Sequence, residues 1–110
     1  MTWEAQEARG FLLGSWKTVG ILDLGCNYGS GNPGVEVFQC LGKKYLGRGI
    51  GRALMQQAIS DMRRDGAACI ETIPYPDVLM DGTTVPKSTL IKRYESYGFV
   101  KEGGIWRYRF

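Results

Sequence analysis

A chain of 110 residues is long enough for one domain with a modest core and too short for two, so residues 1–110 are read as a single domain. An apolar fraction of 44% against 23% charged residues, no apolar run of membrane-spanning length and no signal or transit segment at the start describe a soluble globular protein; a net charge of +3 does not by itself call for a nucleic-acid partner. Three cysteines without a C-x-x-C pair and no histidine argue against a disulfide framework and a metal site, favour reduced thiols in the cytoplasm, and rule out a Ser-His-Asp or Cys-His mechanism within the chain.

Residues 1–9 show no sustained hydrophobic period and read as a helical turn or an extended lead-in. The run from Gly10 through Phe11 to Trp16 suits a short strand, which Lys17-Thr18 would turn into a second strand, Val19 to Leu24, as a hairpin. From Gly25 to Gly34 the chain is a loop of Gly, Asn, Ser and Pro. Val35 to Leu41 then reads as a strand with Val35, Val37, Gln39 and Leu41 on one face. Ile50, Leu54, Ala58 and Met62 recur at helical spacing as far as Asp65, where Gly66 supplies the stop. Ala67 to Ile73 is another apolar strand, closed by Pro74 and Pro76, so strand, turn, helix and strand make a β-α-β unit. The polar loop Tyr75 to Val85 is long enough to border a site. Pro86 opens a second helix, with Leu90, Ile91, Tyr94 and Tyr97 as its apolar face and Gly98 at its end. Phe99 to Glu102 and Ile105 to Phe110 form a terminal hairpin around Gly103-Gly104.

The stretch joining the middle strand to the first helix, Tyr45-Leu46-Gly47-Arg48-Gly49-Ile50-Gly51-Arg52, carries the chemistry. Alternating glycines let the backbone turn sharply and come close to a ligand, and the first N–H groups of the helix then point at whatever sits there. Lys43, Lys44, Arg48 and Arg52 surround the turn, and no Asp or Glu stands between residues 37 and 60. An anion suits such a turn. Glycines can equally be a plain connector from strand to helix, and a lone G-x-G-x-G does not decide between the two.

A second motif does. Leu41 through Leu54 is similar to the acetyl-CoA motif Q/R-x-x-G-x-G/A of the GNAT superfamily of N-acetyltransferases, and Tyr94-Glu95-Ser96-Tyr97-Gly98-Phe99 resembles that family's Y-x-x-x-G-F signature. With their order, separation and intervening β-α-β element, the resemblance covers roughly residues 10–110. It implies an α/β (α+β) fold: a mixed, mostly antiparallel twisted sheet with a central β-α-β acetyl-CoA-binding unit, here N-terminally trimmed. The strands at 35–41 and 67–73 would splay into a cleft for the pantetheine arm. The Leu41 backbone would pair with the pantetheine amides, and Leu46, Gly47, Arg48, Gly49, Ile50, Gly51 and Arg52 would hold the pyrophosphate, with acetyl-CoA as cosubstrate.

The activity implied is direct transfer of an acetyl group from acetyl-CoA to a primary amine of a small molecule or protein. Tyr94 matches the general acid. For the base, Glu36 lies on the strand entering the cleft, but strand parity sets it on the face opposite Gln39 and Leu41 unless a β-bulge turns it, and Glu71 on the neighbouring strand is an equal candidate. The chain departs from the family pattern at Leu46, where Gln or Arg is usual, and at Lys87, where many relatives carry Asn. About ten residues precede the hairpin where the family has a strand and two helices, so the acceptor side would be open to a bulky substrate, completed by a second subunit, or degenerate. Trp3, Phe11 and Trp16 crowd that region, and a homodimer would cover them. Two other readings stand beside the enzyme: a non-catalytic CoA-binding or interaction domain of the same fold, and, ranked last because the aromatic residues are scattered, a phosphate or nucleic-acid binder.

Overall fold

The computed structural model describes residues 1–8, 16–26, 30–79 and 81–110. Its elements are β1 (Thr2–Ala8), β2 (Trp16–Cys26), β3 (Pro33–Cys40), a 3-10 turn (Lys43–Tyr45), α1 (Ile50–Arg64), β4 (Cys69–Thr72), β5 (Asp77–Val78), β6 (Thr84–Val85), α2 (Lys87–Tyr97), β7 (Val100–Glu102) and β8 (Ile105–Arg109). Six strands form one sheet in the order β1-β2-β3-β4-β8-β7, and β5 and β6 pair in a separate small hairpin. Every neighbour in the large sheet is antiparallel except β3 and β4, which are parallel because α1 carries the chain from one to the other. This is the mixed, mostly antiparallel sheet expected of the β-α-β unit.

The core gathers Leu22 and Leu24 of β2, Leu54, Met55, Ala58 and Met62 of α1, Ile70 of β4, Tyr94 of α2 and Phe99. The four α1 residues share one helical face, as the 3.6-residue period requires, and Asp65 caps the helix before Gly66 turns at φ +86°. Gly20 is where α1 comes closest to β2: a Cβ there would stand 2.7 Å from Ile50 Cγ2, so the glycine makes room for the first turn of α1.

Three expectations change. Of the two readings of residues 1–9, the extended one holds for the described part and goes further, since Thr2–Ala8 is an edge strand paired with β2. Among its described side chains, Trp3 and Ala5 are the apolar residues that pack inward, too few to show a period. Lys17 and Thr18 lie within β2 rather than in a turn, and β2 extends to Cys26. The strand expected at residues 10–16 falls largely outside the described residues, as does Phe11. Trp3 does not belong to an exposed patch either: it packs on the core, and its Nε1–H donates to Asp61 Oδ2 at 2.8 Å. The loop between Tyr75 and Val85 contains the β5–β6 hairpin, whose Leu79 and Val85 are buried.

Candidate active site

Strands β3 and β4 touch at a single bridge, Gly34 with Glu71, and then diverge toward their C-terminal ends. Between them opens a cleft of about 420 Å³, whose walls include Glu36, Phe38 and Gln39 from β3, Glu71 from β4 and Tyr94 from α2. Tyr94 and Glu36, separated by 58 positions of sequence, therefore line one cavity.

A bulge in β3 decides which side chains enter. Asp23 pairs with Val37 and Leu24 with Val35, so Glu36 is the extra residue opposite β2. The insertion reverses the alternation. Val35 and Phe38 both pack on the core, although strict parity would put them on opposite faces, and the expected common face of Val35 and Val37 is lost. Val37 is exposed, and Glu36 lies at the solvent side of the cleft across Gly25, where a Cβ would stand 1.9 Å from Glu36 Oε1.

Glu71 is held differently. Its side chain is 2% exposed, and Oε1 accepts hydrogen bonds from Asn32 Nδ2 at 3.0 Å and Arg107 Nε at 3.3 Å. The Cys69 thiol, 3.8 Å away, is pushed up in pKa by burial and then by this carboxylate. Arg107 continues to Glu102, which Arg109 also binds, so the carboxylate at the apex of the cleft is anchored to the terminal hairpin. Asn32 and Arg107 thus fix the orientation of the Glu71 carboxylate in the cleft wall.

Tyr94 is 5% exposed and sits among Phe38, Tyr97 and Phe99 with ring centroids 5.9, 6.3 and 5.2 Å away. It is at once a core aromatic and a wall of the cleft. Tyr97, which the sequence marked only as apolar surface, reaches the glycine turn: a Cβ on Gly51 would stand 3.1 Å from Tyr97 Oη. Burial raises the Tyr97 pKa, so its hydroxyl keeps its proton at neutral pH and can donate.

The three glycines of the turn serve different needs. Gly47 and Gly49 have φ of +74° and +77°, the left-handed region, with open space around them, whereas Gly51 lies inside α1 and is small because Tyr97 and Phe38 crowd it. Gly49 is the N-cap of α1, so the N–H groups of Ile50, Gly51 and Arg52 begin the helix without carbonyl partners inside it. Arg52 donates to Ser96 Oγ at 3.3 Å and lies over the Tyr97 ring, tying the turn to α2. Arg48 and Lys44 lie over the ring of Tyr45. Leu46 is half-buried and offers only its backbone.

The Leu41 N–H is taken by Val19 O at 3.0 Å, which leaves its carbonyl as the backbone group open to a ligand. Antiparallel ladders alternate, and the N–H and C=O of its neighbour Cys40 therefore turn toward the β4 side. The cleft also holds an acceptor in need of a donor: Gln39 Oε1 is buried with no hydrogen-bond partner among the described residues. No cluster of metal-ligating side chains exists among the described residues.

A splayed parallel pair, a glycine turn opening a helix on the strand before it, and a tyrosine on the next helix facing the gap define an acetyltransferase fold. The family model described as "Acetyltransferase (GNAT) family" matches residues 3–99, and the chain belongs to that family, whose acetyl donor and cosubstrate is acetyl-CoA. Two solved structures are similar in fold. The anti-CRISPR protein AcrVA5 has a TM-score of 0.61 at 20% identity, with 82% of this chain and 90% of that one covered. A protein assigned as a streptothricin acetyltransferase from Bacillus anthracis str. Ames, solved in complex with acetyl coenzyme A, has a TM-score of 0.66 at 21% identity, with 90% of this chain covered. The match spans 59% of the length of that second protein. No curated protein sequence matches the chain.

Asn32 and Arg107 are site residues that sequence reading missed. Each reaches Glu71 from far away in the chain, and no local pattern marks either.

Proposed function

We propose that this chain is a single-domain N-acetyltransferase that moves the acetyl group of acetyl-CoA directly to a primary amine. The observation that carries the reading is the cleft itself, where the tyrosine of the Y-x-x-x-G-F signature and two carboxylates meet beside a phosphate-binding turn. The fold is shared with the Bacillus anthracis protein that was solved in complex with acetyl coenzyme A, which supports acetyl-CoA as the donor. In this reading the backbone of Gly47 to Arg52 holds the pyrophosphate, with Leu46 contributing main chain only, and Cys40 beside Leu41 with Gln39 receives the pantetheine amides.

Glu36, exposed and in no ion pair among the described residues, takes the proton of the incoming ammonium, directly or through a water. The neutral amine attacks the thioester carbonyl carbon, a C–N bond forms, and the C–S bond breaks. Tyr94 gives its proton to the departing thiolate. Glu71, oriented by Asn32 and Arg107, faces the acceptor from the cleft wall. Release of free CoA thiol over a panel of amines, from small polyamines to lysine peptides, tests the activity. CoA binding without thiol release for any of them would leave a CoA-binding domain instead.

We further propose a cytoplasmic homodimer. Three unpaired thiols suit a reducing compartment, and β1 is an edge strand on which a second copy could pair. Sedimentation at micromolar concentration, with and without CoA, checks the assembly, and a monomer in both states would overturn it.

A further inference from the structure

Beside the glycine turn, on the side away from the cleft, lies a second concave site of about 260 Å³ with Ala5, Val19, Ile50 and Tyr45 as its floor and Arg48 at its edge. Three cations from three separate elements converge on one ring there. Lys17 Nζ of β2, Lys44 Nζ of the 3-10 turn and Arg48 Cζ stand 5.9, 5.0 and 5.8 Å from the Tyr45 centroid. None of the three is in an ion pair among the described residues. Glu7 lies opposite Lys17 across the β1–β2 ladder and on the rim of the same site, so the cluster keeps a net positive charge. Tyr45 itself is 2% exposed, and its Oη has no hydrogen-bond partner among the described residues.

Each of these facts is unfavourable without a ligand. Like charges repel, a ring face compensates them only in part, and a buried hydroxyl left unpaired costs the full loss of its hydration. A compact dianion with several acceptor oxygens would relieve the repulsion among the three cations. We infer that this site binds the phosphate monoester at the 3′ position of the CoA ribose, and that Lys17, Lys44 and Arg48 make the chain discriminate CoA from its 3′-dephospho form. The inference rests on the acetyl-CoA reading of the turn. Arg48 belongs to both sites, and the 5′ and 3′ phosphates of one ribose are only a few bonds apart, so a pyrophosphate on the α1 N-terminus brings the second phosphate to the Tyr45 side.

The test is calorimetric titration of the full chain with CoA and with 3′-dephospho-CoA, repeated for Lys17→Ala/Lys44→Ala. Charge-assisted bonds from two or three cations predict about 10-fold to 100-fold weaker binding of the dephospho form to the unaltered chain, steepest at low salt. In the double variant, CoA should fall to nearly the affinity of dephospho-CoA, while dephospho-CoA binding stays as it was. Equal dissociation constants for the two ligands in the unaltered chain would overturn the inference and leave the acetyl-CoA reading intact. A double variant that loses both ligands equally would also overturn it, by showing a general loss of the turn. Failure of both ligands to bind the unaltered chain would remove the acetyl-CoA reading, and this inference with it.

Discussion

Tyr94 and Glu36 divide the proposed proton traffic, and the surroundings of each make a separate expectation. Tyr94 is packed by three aromatic rings, so Tyr94→Phe keeps the packing and removes only the donor. Turnover should fall by about 100-fold to 10,000-fold with the CoA dissociation constant unchanged, measured by single-turnover kinetics and calorimetry. Wild-type turnover in that variant would leave water as the proton donor. Glu36 can be tested without touching it. A methyl group at Gly25 would overlap its carboxylate, which is the movable end of a flexible side chain, so Gly25→Ala should fold normally and displace Glu36. If Glu36 is the base, Gly25→Ala should lower kcat by a factor comparable to Glu36→Gln and move the acid limb of the pH–rate profile; an unaltered profile would point to another base. The sequence named both residues of this pair but not their relation to the cleft. Glu36 stands at the solvent side of the cleft where β3 carries one residue more than β2, and a bulge belongs to two strands at once. Glu71 was legible as a candidate only, since its partners Asn32 and Arg107 lie 39 and 36 positions away.

Among the elements, α1 and α2 were readable because each repeats an apolar face over several turns and ends at a glycine with φ of +86° or +103°. Strand β1 was not, because among its described side chains only Trp3 and Ala5 pack inward, and the extra residue Val19 on β2 shifts the register after them. The β5–β6 hairpin was seen only as a polar loop. Its function in the fold is now definite: Asp81 Oδ2 accepts the Lys43 N–H at 2.7 Å and Oδ1 the Thr83 N–H at 3.0 Å, fastening the hairpin to the chain that leads into the glycine turn. The backbone donation from Lys43, followed by the bonds from Thr83, holds the Asp81 carboxyl below its ordinary value. A carboxyl whose folded pKa lies below its unfolded value, about 3.9, stabilises the fold fully above that value and loses the contribution as pH falls through the folded one. Melting temperature should therefore drop on acidification from about pH 4 downward. Asp81→Asn should flatten that part of the curve and lower the melting temperature at neutral pH; an acid limb identical to the parent's would show that Asp81 does not fasten the hairpin.

At the scale of the whole molecule, the family was legible from two short motifs because both serve a ligand through backbone geometry, which fixes glycines and one tyrosine in place regardless of the rest. The placement of the site relative to the sheet was not, since it depends on β3 and β4 being neighbours that scarcely touch. That sparse contact has a further consequence. Apart from the Gly34–Glu71 bridge, the ladder hydrogen bonds of the large sheet fall into two antiparallel sets, β1-β2-β3 before α1 and β4-β8-β7 after it. Two cooperative units joined by so thin a seam can open independently. Native-state hydrogen exchange should then resolve two groups of amides with different opening free energies, with the divide running down the cleft. A ligand seated across the divide would merge them into one. The same gap proposed to admit the thioester arm would thus make the molecule behave as two halves until the arm arrives, and a single exchange class without CoA would show that α1 alone already welds them together.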